Sequence, residues 1–339
     1  IIESCRKRIA SHFNVLASEI VFTSGGTEAD NLVLQSAVKD LKVTHIVTSK
    51  IEHHAVLHTV EQLALDYKIK VSYVTVLADG TIDYSHLETL LDSTEKTLVS
   101  LMHINNEIGT ILDIQKAADL CKSNNALFHS DSVQSVGHYH LDLQTIPIDF
   151  LAASAHKFHG PKGIGFVFIR KNSGLKPLIY GGMQERGVRA GTESIHDIVG
   201  LDASLALSYQ NLEIEMTQVK ALKTYFVEKL KTTIDGVKFN GCCSDNNKST
   251  YTLVNVCLPV SEVNAPMFLF QLDLKGIACS KGSACQSGSD KGSHVLSQIL
   301  SEADLKKPSI RFSFSIYNTK EEIDTVVETL KTLINPAIS

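Results

Sequence analysis

Between about residues 20 and 170, short β-branched runs alternate with helix-length amphipathic stretches, and that alternation limits the fold of this chain more than any other feature. Strands are expected at EIVFTS, THIVTS, KVSYVTV, TLVSLMH, ALFHSD and FLAASA, followed by GIGFVFIR. Between them, apolar residues at three-to-four spacing predict helices near 27–39, 54–66, 85–93 and 113–124. The expected fold class is α/β, a mostly parallel central sheet with flanking helices.

A chain of 339 residues exceeds the size at which one core keeps growing, so a second domain is expected. A long amphipathic stretch from about 201 to 233 can bridge to it, and beyond it the pattern changes to strands such as TLVNVCL and SIRFSFS. The boundary is placed near 205, giving a large domain over 1–205 and a smaller α+β domain over 206–339. In the last predicted helix Thr319 and Glu322 have capping-box spacing. The run SKGSACQSGSDKGS at 280–293 is rich in Gly and Ser and predicts a loop able to move.

With 43% hydrophobic and 20% charged residues and a net charge of -5, the chain has no basic excess to attract a polyanion, and no nucleic-acid partner is expected. It contains no apolar run long enough to cross a bilayer, which predicts a cytosolic or organelle-matrix protein. The seven cysteines (Cys5, Cys121, Cys242, Cys243, Cys257, Cys279, Cys285) are scattered without CxxC pairs, so reduced thiols are expected and no metal site. The first residues lack Met and read as the inside of a helix from Glu3 to Phe13, so an upstream segment is expected.

In open α/β sheets ligands sit beyond the carboxyl ends of the strands. The residues there are Gly25-Gly26-Thr27-Glu28, Glu52-His53-His54, Asn105-Asn106-Glu107, Asp131 with Gln134, and His156-Lys157, five strand ends expected to line one crevice. Lys157 would emerge at its mouth, where partial desolvation makes an amine a better nucleophile toward an aldehyde; an isolated lysine before a Gly-Pro turn would simply face water. Gly26 and Thr27 at a helix start can cradle a phosphate, or be a plain strand-to-helix connection. Asp131 is either an N-cap or the carboxylate that keeps a pyridine nitrogen protonated, and His53 either a helix-start histidine or an imidazole on the face of that ring. Together these residues describe a pyridoxal phosphate site. Cys285, in the Gly/Ser segment, is either an incidental surface thiol or one that attacks sulfur on a bound substrate and carries it outward, whereas Cys279 in GIAC reads as buried and inert.

The motifs TSGGTEADNLVL, EHHAVL, HINNEIGTILDI, HSDSVQSVG, SAHKFHGPKGIGF, GGMQERGVRAGT and GSACQSG resemble those of the class V aminotransferase family and, within it, NifS/IscS-type cysteine desulfurases, from about residue 3 to the last helix. The resemblance implies a fold-type-I pyridoxal phosphate enzyme that converts L-cysteine to L-alanine and leaves the sulfur as a persulfide. It implies that Lys157 binds the cofactor covalently and later moves the α-proton, that Asp131 pairs with the ring nitrogen, and that His53 stacks on the ring and assists proton transfer. Gln134 would bond the cofactor's phenolic oxygen, and Gly26, Thr27, Ser154 and His156 would hold its phosphate. Thr192 would reach the phosphate of the partner subunit in a homodimer. Arg311 would clamp the substrate carboxylate, with Asn106 helping to position substrate against cofactor, and Cys285 would take the sulfur and pass it to an acceptor protein such as an iron-sulfur scaffold, or toward thiolated tRNA. Two departures stand out: the family's N-terminal strand with its Asn-Ala-Thr-Thr-type motif has no counterpart here, and Ile316 replaces a second arginine. Selenocysteine lyase and an inactive homologue acting as a binding subunit are the alternatives.

Overall fold

A computed structural model describes residues 1–262, 265–282 and 292–335. Cys285 and its neighbours in the Gly/Ser run lie outside these residues. The chain divides into two compact units, one of Ile1–Thr75, Ile82–Ile104 and Leu112–Leu212, the other of Val76–Thr81, Asn105–Ile111 and Glu213–Ser339.

The first unit is built on a seven-stranded sheet of β1 (Ile20–Thr23), β2 (His45–Thr48), β3 (Lys70–Tyr73), β4 (Thr97–Ser100), β5 (Leu127–Asp131), β6 (Phe150–Ser154) and β7 (Gly165–Ile169). Its order is β1-β7-β6-β5-β4-β2-β3. Pairings from β3 through β6 are parallel, as the βα alternation requires, while β7 runs antiparallel to both β6 and β1. The reversal follows from chain length: β6 and β7 are joined too closely for a helical crossover, so the second strand must turn back.

Helices α1 (Ile2–His12), α2 (Gly26–Lys39), α3 (His54–Tyr67), α4 (Tyr84–Leu91), α5 (Ile114–Ser123) and the start of α6 (Ile195–Thr233) cover this sheet. Both faces are buried, and the strand residues alternate between them. Phe22, Val47, Val99, Phe128, Leu151 and Phe166 pack with α1, α4, α5 and α6, whereas Val21, Ile46, Leu98, Phe150 and Val167 pack with α2 and α3. His129 and Asp131 therefore point to the α2 and α3 face, opposite to Phe128.

In the second unit the strands β8 (Lys238–Phe239), β9 (Leu253–Cys257) and β10 (Ser309–Ser313) form an antiparallel sheet in the order β10-β9-β8. The end of α6, α7 (Ala265–Leu274), α8 (Leu296–Ile299), α9 (Glu302–Leu305) and α10 (Lys320–Ile334) accompany it. Its core joins Phe226 and Leu230 of α6 to Val254, Val256, Phe268, Ile310 and Val327. The capping box of α10 forms as its spacing predicts, with Glu322 N–H donating to Thr319 Oγ1 and Thr319 N–H to Glu322 Oε2. Among the described residues no helix is long and apolar enough to cross a membrane.

Candidate active site

Asp131 is the last residue of β5, and its backbone is fixed from both flanks. Its carbonyl accepts from His103 N–H beyond β4, and the following Ser132 N–H donates to Ala152 of β6. Its Oδ1 accepts from Val133 N–H at 3.0 Å, an Asx turn that sets the carboxylate across the strand mouth. The group is only 5% exposed. Burial raises its pKa, opposed by the nearby charges of His53 and Lys157 and by the Val133 bond, so all three side chains share one site.

His53 is the N-cap of α3, and its Nδ1 accepts from Ala55 N–H at 3.1 Å. That bond reserves Nδ1 as an acceptor and leaves Nε2 to carry the ring proton. The helix-start reading of His53 holds, and the cap orients its imidazole. Lys157 stands in a short 3-10 turn, Ala155–Phe158, directly after β6, with its side chain exposed and its carbonyl 2.9 Å from His138 Nε2. Gln134 lies half-buried three residues beyond Asp131.

The start of α2 shows why glycine stands there. A Cβ on Gly26 would lie 2.6 Å from Val133 Cγ2, and Gly25 has φ +149, so neither position accepts a side chain without displacement. The close approach brings the helix N-terminus to Ser154, whose Oγ lies 3.5 Å from the position of a Gly25 Cβ and 2.9 Å from His156 Nδ1. Burial and the cations of Lys157 and Lys162 lower the pKa of His156. Thr27 is exposed in the first turn. Backbone N–H groups, hydroxyls and an imidazole thus meet at a helix's positive end, a donor set that suits a phosphate.

Thr192 lines a small cavity with Thr23, Ser24, Gly163 and Arg189. Its loop is pinned twice. Arg189 makes a forked pair with Glu28 of α2 at 2.8 and 3.2 Å, and Glu185 makes another with Arg6 of α1 at 2.6 and 2.8 Å. Glu185 and Arg186 occupy the left-handed region at φ +46 and +56, a costly conformation for non-glycine residues that these pairs hold in place.

Asn106 belongs with residues 105–111 to the second unit. There Asn105 Oδ1 accepts from Glu107 and Ile108 N–H, folding the segment into a turn. Arg311 Nη1 donates to the Asn106 carbonyl at 2.6 Å, and Asn255, its cross-strand neighbour on β9, donates to the Glu107 carbonyl. The two expected substrate residues therefore sit together. Ile316 is 44% exposed. Cys279 is half-buried rather than fully so, and burial still pushes its thiol up to about 11, consistent with an inert thiol.

Near Asp131, Glu52 was already among the expected strand-end residues, whereas Asp30 on α2 and His129 on β5 were not singled out from the sequence. All are sealed from solvent. A carboxyl on the apolar face of α2 (ADNLVL) was the available hint for Asp30.

Residues 1–326 match the aminotransferase class-V family. The chain belongs to that family. It is 38% identical over 338 residues to a protein of Dictyoglomus turgidum named cysteine desulfurase IscS, covering 98% of this chain and 83% of that one. A Clostridium botulinum protein of the same name is 39% identical over 331 residues, covering 97% and 82%. A solved structure of a NifS-like protein superposes with a TM-score of 0.87 at 32% identity, covering 98% of this chain and 86% of that one. Family membership accounts for the sheet order and for glycines, lysine and aspartate meeting at one end of it.

Proposed function

We propose that the chain is a pyridoxal-phosphate-dependent cysteine desulfurase, converting L-cysteine to L-alanine with the sulfur received by Cys285 as a persulfide. The observation that carries this reading is the placement of Asp131, a buried carboxylate at a strand mouth within the field of both Lys157 and His53. That is the donor and acceptor set a pyridine aldehyde needs: a carboxylate for the ring nitrogen and an amine for the carbonyl.

Bound pyridoxal phosphate supplies an electron sink for the substrate's α-carbon. Lys157 holds the cofactor and moves the α-proton on its Nζ. Asp131 would keep the ring nitrogen protonated, Gln134 would donate to the phenolic oxygen, and His53 would lie against the ring and assist proton transfer. Gly26, Thr27, Ser154 and His156 hold the phosphate, and Thr192 serves the phosphate of the partner subunit in a homodimer. Arg311 receives the substrate carboxylate, with Asn106 beside it. At Cys285 a bond forms to the substrate sulfur as the carbon-sulfur bond breaks, so that thiol and cysteine become persulfide and alanine. The persulfide passes to an acceptor protein for iron-sulfur or thio-cofactor synthesis, in the cytosol.

The test is incubation of the cofactor-loaded protein with L-cysteine, reading alanine release and the mass of the peptide that holds Cys285. Alanine with one added sulfur atom on Cys285 is expected. Cys285→Ala should keep the visible absorbance and lose the persulfide, while Lys157→Ala should lose the absorbance. Absence of both colour and alanine sinks the reading, and turnover of L-selenocysteine with negligible turnover of L-cysteine assigns a selenocysteine lyase.

A further inference from the structure

Beneath Asp131 two buried polar atoms face each other. His129 Nε2 lies 3.4 Å from Asp30 Oδ1, the two side chains are 0% and 1% exposed, and neither atom has a formed hydrogen bond, so the two orphaned polar atoms are each other's nearest available partner. On its other edge His129 Nδ1 lies 2.9 Å from Ser100 Oγ. The groups whose charge bears on Asp30 are two further carboxyls, Asp131 and Glu52. Glu52 is bound by the Ser49 hydroxyl at 2.6 Å and by Met102 N–H at 2.8 Å.

Three proton arrangements could satisfy the pair, and the ion pair of an imidazolium with a carboxylate is opposed by burial, which takes His129 down to about 3; two remain. In one, His129 carries its proton on Nε2 and donates to an Asp30 carboxylate. That places a second uncompensated anion beside Asp131 in a site closed to water, where like charges repel most strongly. In the other, His129 carries its proton on Nδ1, donates it to Ser100 Oγ, and accepts at Nε2 from a protonated Asp30. No extra charge is buried in that case.

We propose that Asp30 is a positioning residue for the ring-nitrogen carboxylate, standing as a neutral carboxylic acid that donates to His129 Nε2 and so leaves Asp131 to carry the negative charge of the crevice floor. Burial, Asp131 and Glu52 all raise the Asp30 pKa, and burial takes His129 down to about 3, so the imidazole is neutral and available as an acceptor. The role toward the ring nitrogen rests on the desulfurase reading, whereas the protonation of Asp30 does not.

Infrared spectra of the full chain separate the two. Wild type and Asp30→Asn should differ by one protonated-carboxyl carbonyl band, and the band should persist above pH 8, where Glu52 is losing its proton. Its absence at pH 7 overturns the proposal whether or not the protein turns over cysteine.

The cofactor-loaded protein reads the positioning role. Asp30→Asn, which keeps a donor toward Nε2 without charge, should retain cofactor within about threefold of wild type and leave the pH midpoint of the visible absorbance unchanged. Asp30→Leu should lose cofactor affinity by about tenfold or more and lower kcat while sparing KM for cysteine, the loss expected when a buried hydrogen bond is removed. Wild-type cofactor affinity in Asp30→Leu would sink the positioning role. If that variant does not fold, Asp30→Asn still decides, because a midpoint moved by about a unit or more means that a charge was removed.

Discussion

Two buried cations, one in each unit, are treated in opposite ways. Arg6 in the first unit is 2% exposed and forks onto Glu185, with a third bond to the Ile20 carbonyl. Burial works to lower its pKa, but Glu185 and Glu3 together outweigh it and hold the guanidinium above its ordinary value. Lys223 in the second unit is fully buried and meets only neutral oxygens, Ser249 Oγ at 2.7 Å and the Thr250 carbonyl at 2.6 Å. Burial lowers it to about 8, against small opposing contributions from Cys243 and Asp245. The counter-charge, not the depth, decides whether a buried group keeps its charge. The carboxyls behind Asp131 extend the lesson: Asp30 has an imidazole where Glu185 has a guanidinium, and the proton is retained.

The largest effect should come from Arg6→Ala, which strands the Glu185 carboxylate in a closed site. A loss of about 3–5 kcal/mol in unfolding free energy is expected by urea titration, and a loss below about 1 kcal/mol would mean that the pair is not sealed.

Next is Glu52, raised by burial to about 8 against the Ser49 bond. The folded state holds this proton after the unfolded chain has released it near 4.5, so its contribution is present below 4.5 and fades as pH rises through 8. Glu52→Gln should flatten the stability profile across that window by up to roughly 5 kcal/mol. A profile parallel to wild type would place Glu52 among the charged groups.

Lys223 gives the opposite sign. The unfolded chain binds its proton up to 10.5 and the folded chain only up to about 8, so stability should rise with pH between the two. Lys223→Met should remove a rise of roughly 2–3 kcal/mol from the same titration. A rise left intact in the variant would show that Lys223 stays charged on its neutral partners.

Smallest of all should be Asp30→Asn, which exchanges one neutral group for another. Its unfolding free energy should stay within about 1 kcal/mol of wild type at pH 7. A loss as large as that of Arg6→Ala would put Asp30 with the charged residues and erase the contrast.

Much of the site was legible because its signals are local. A glycine pair before a helix, a histidine at a helix start and a lysine just after a strand are each read within a few residues, and each lies where its pattern places it. Other features had no such signal. The reversal of β7 follows from a connection whose direction the strand pattern does not encode. Asn105–Ile111 reads as an ordinary strand end, yet it folds with β9 and β10 because Asn255 and Arg311 hold its carbonyls. Glu185 looks like a surface charge until Arg6, 179 positions away, closes over its carboxylate.

The sequence alone therefore determined the βα order and the helix starts at Gly26 and His53, since hydrophobic period and capping act over a turn or a strand. Tertiary structure decided which carboxyls keep protons and which arginines find partners. Those outcomes depend on distance and dielectric between side chains far apart in the chain, and neither quantity exists before the sheet and its helices have closed around them.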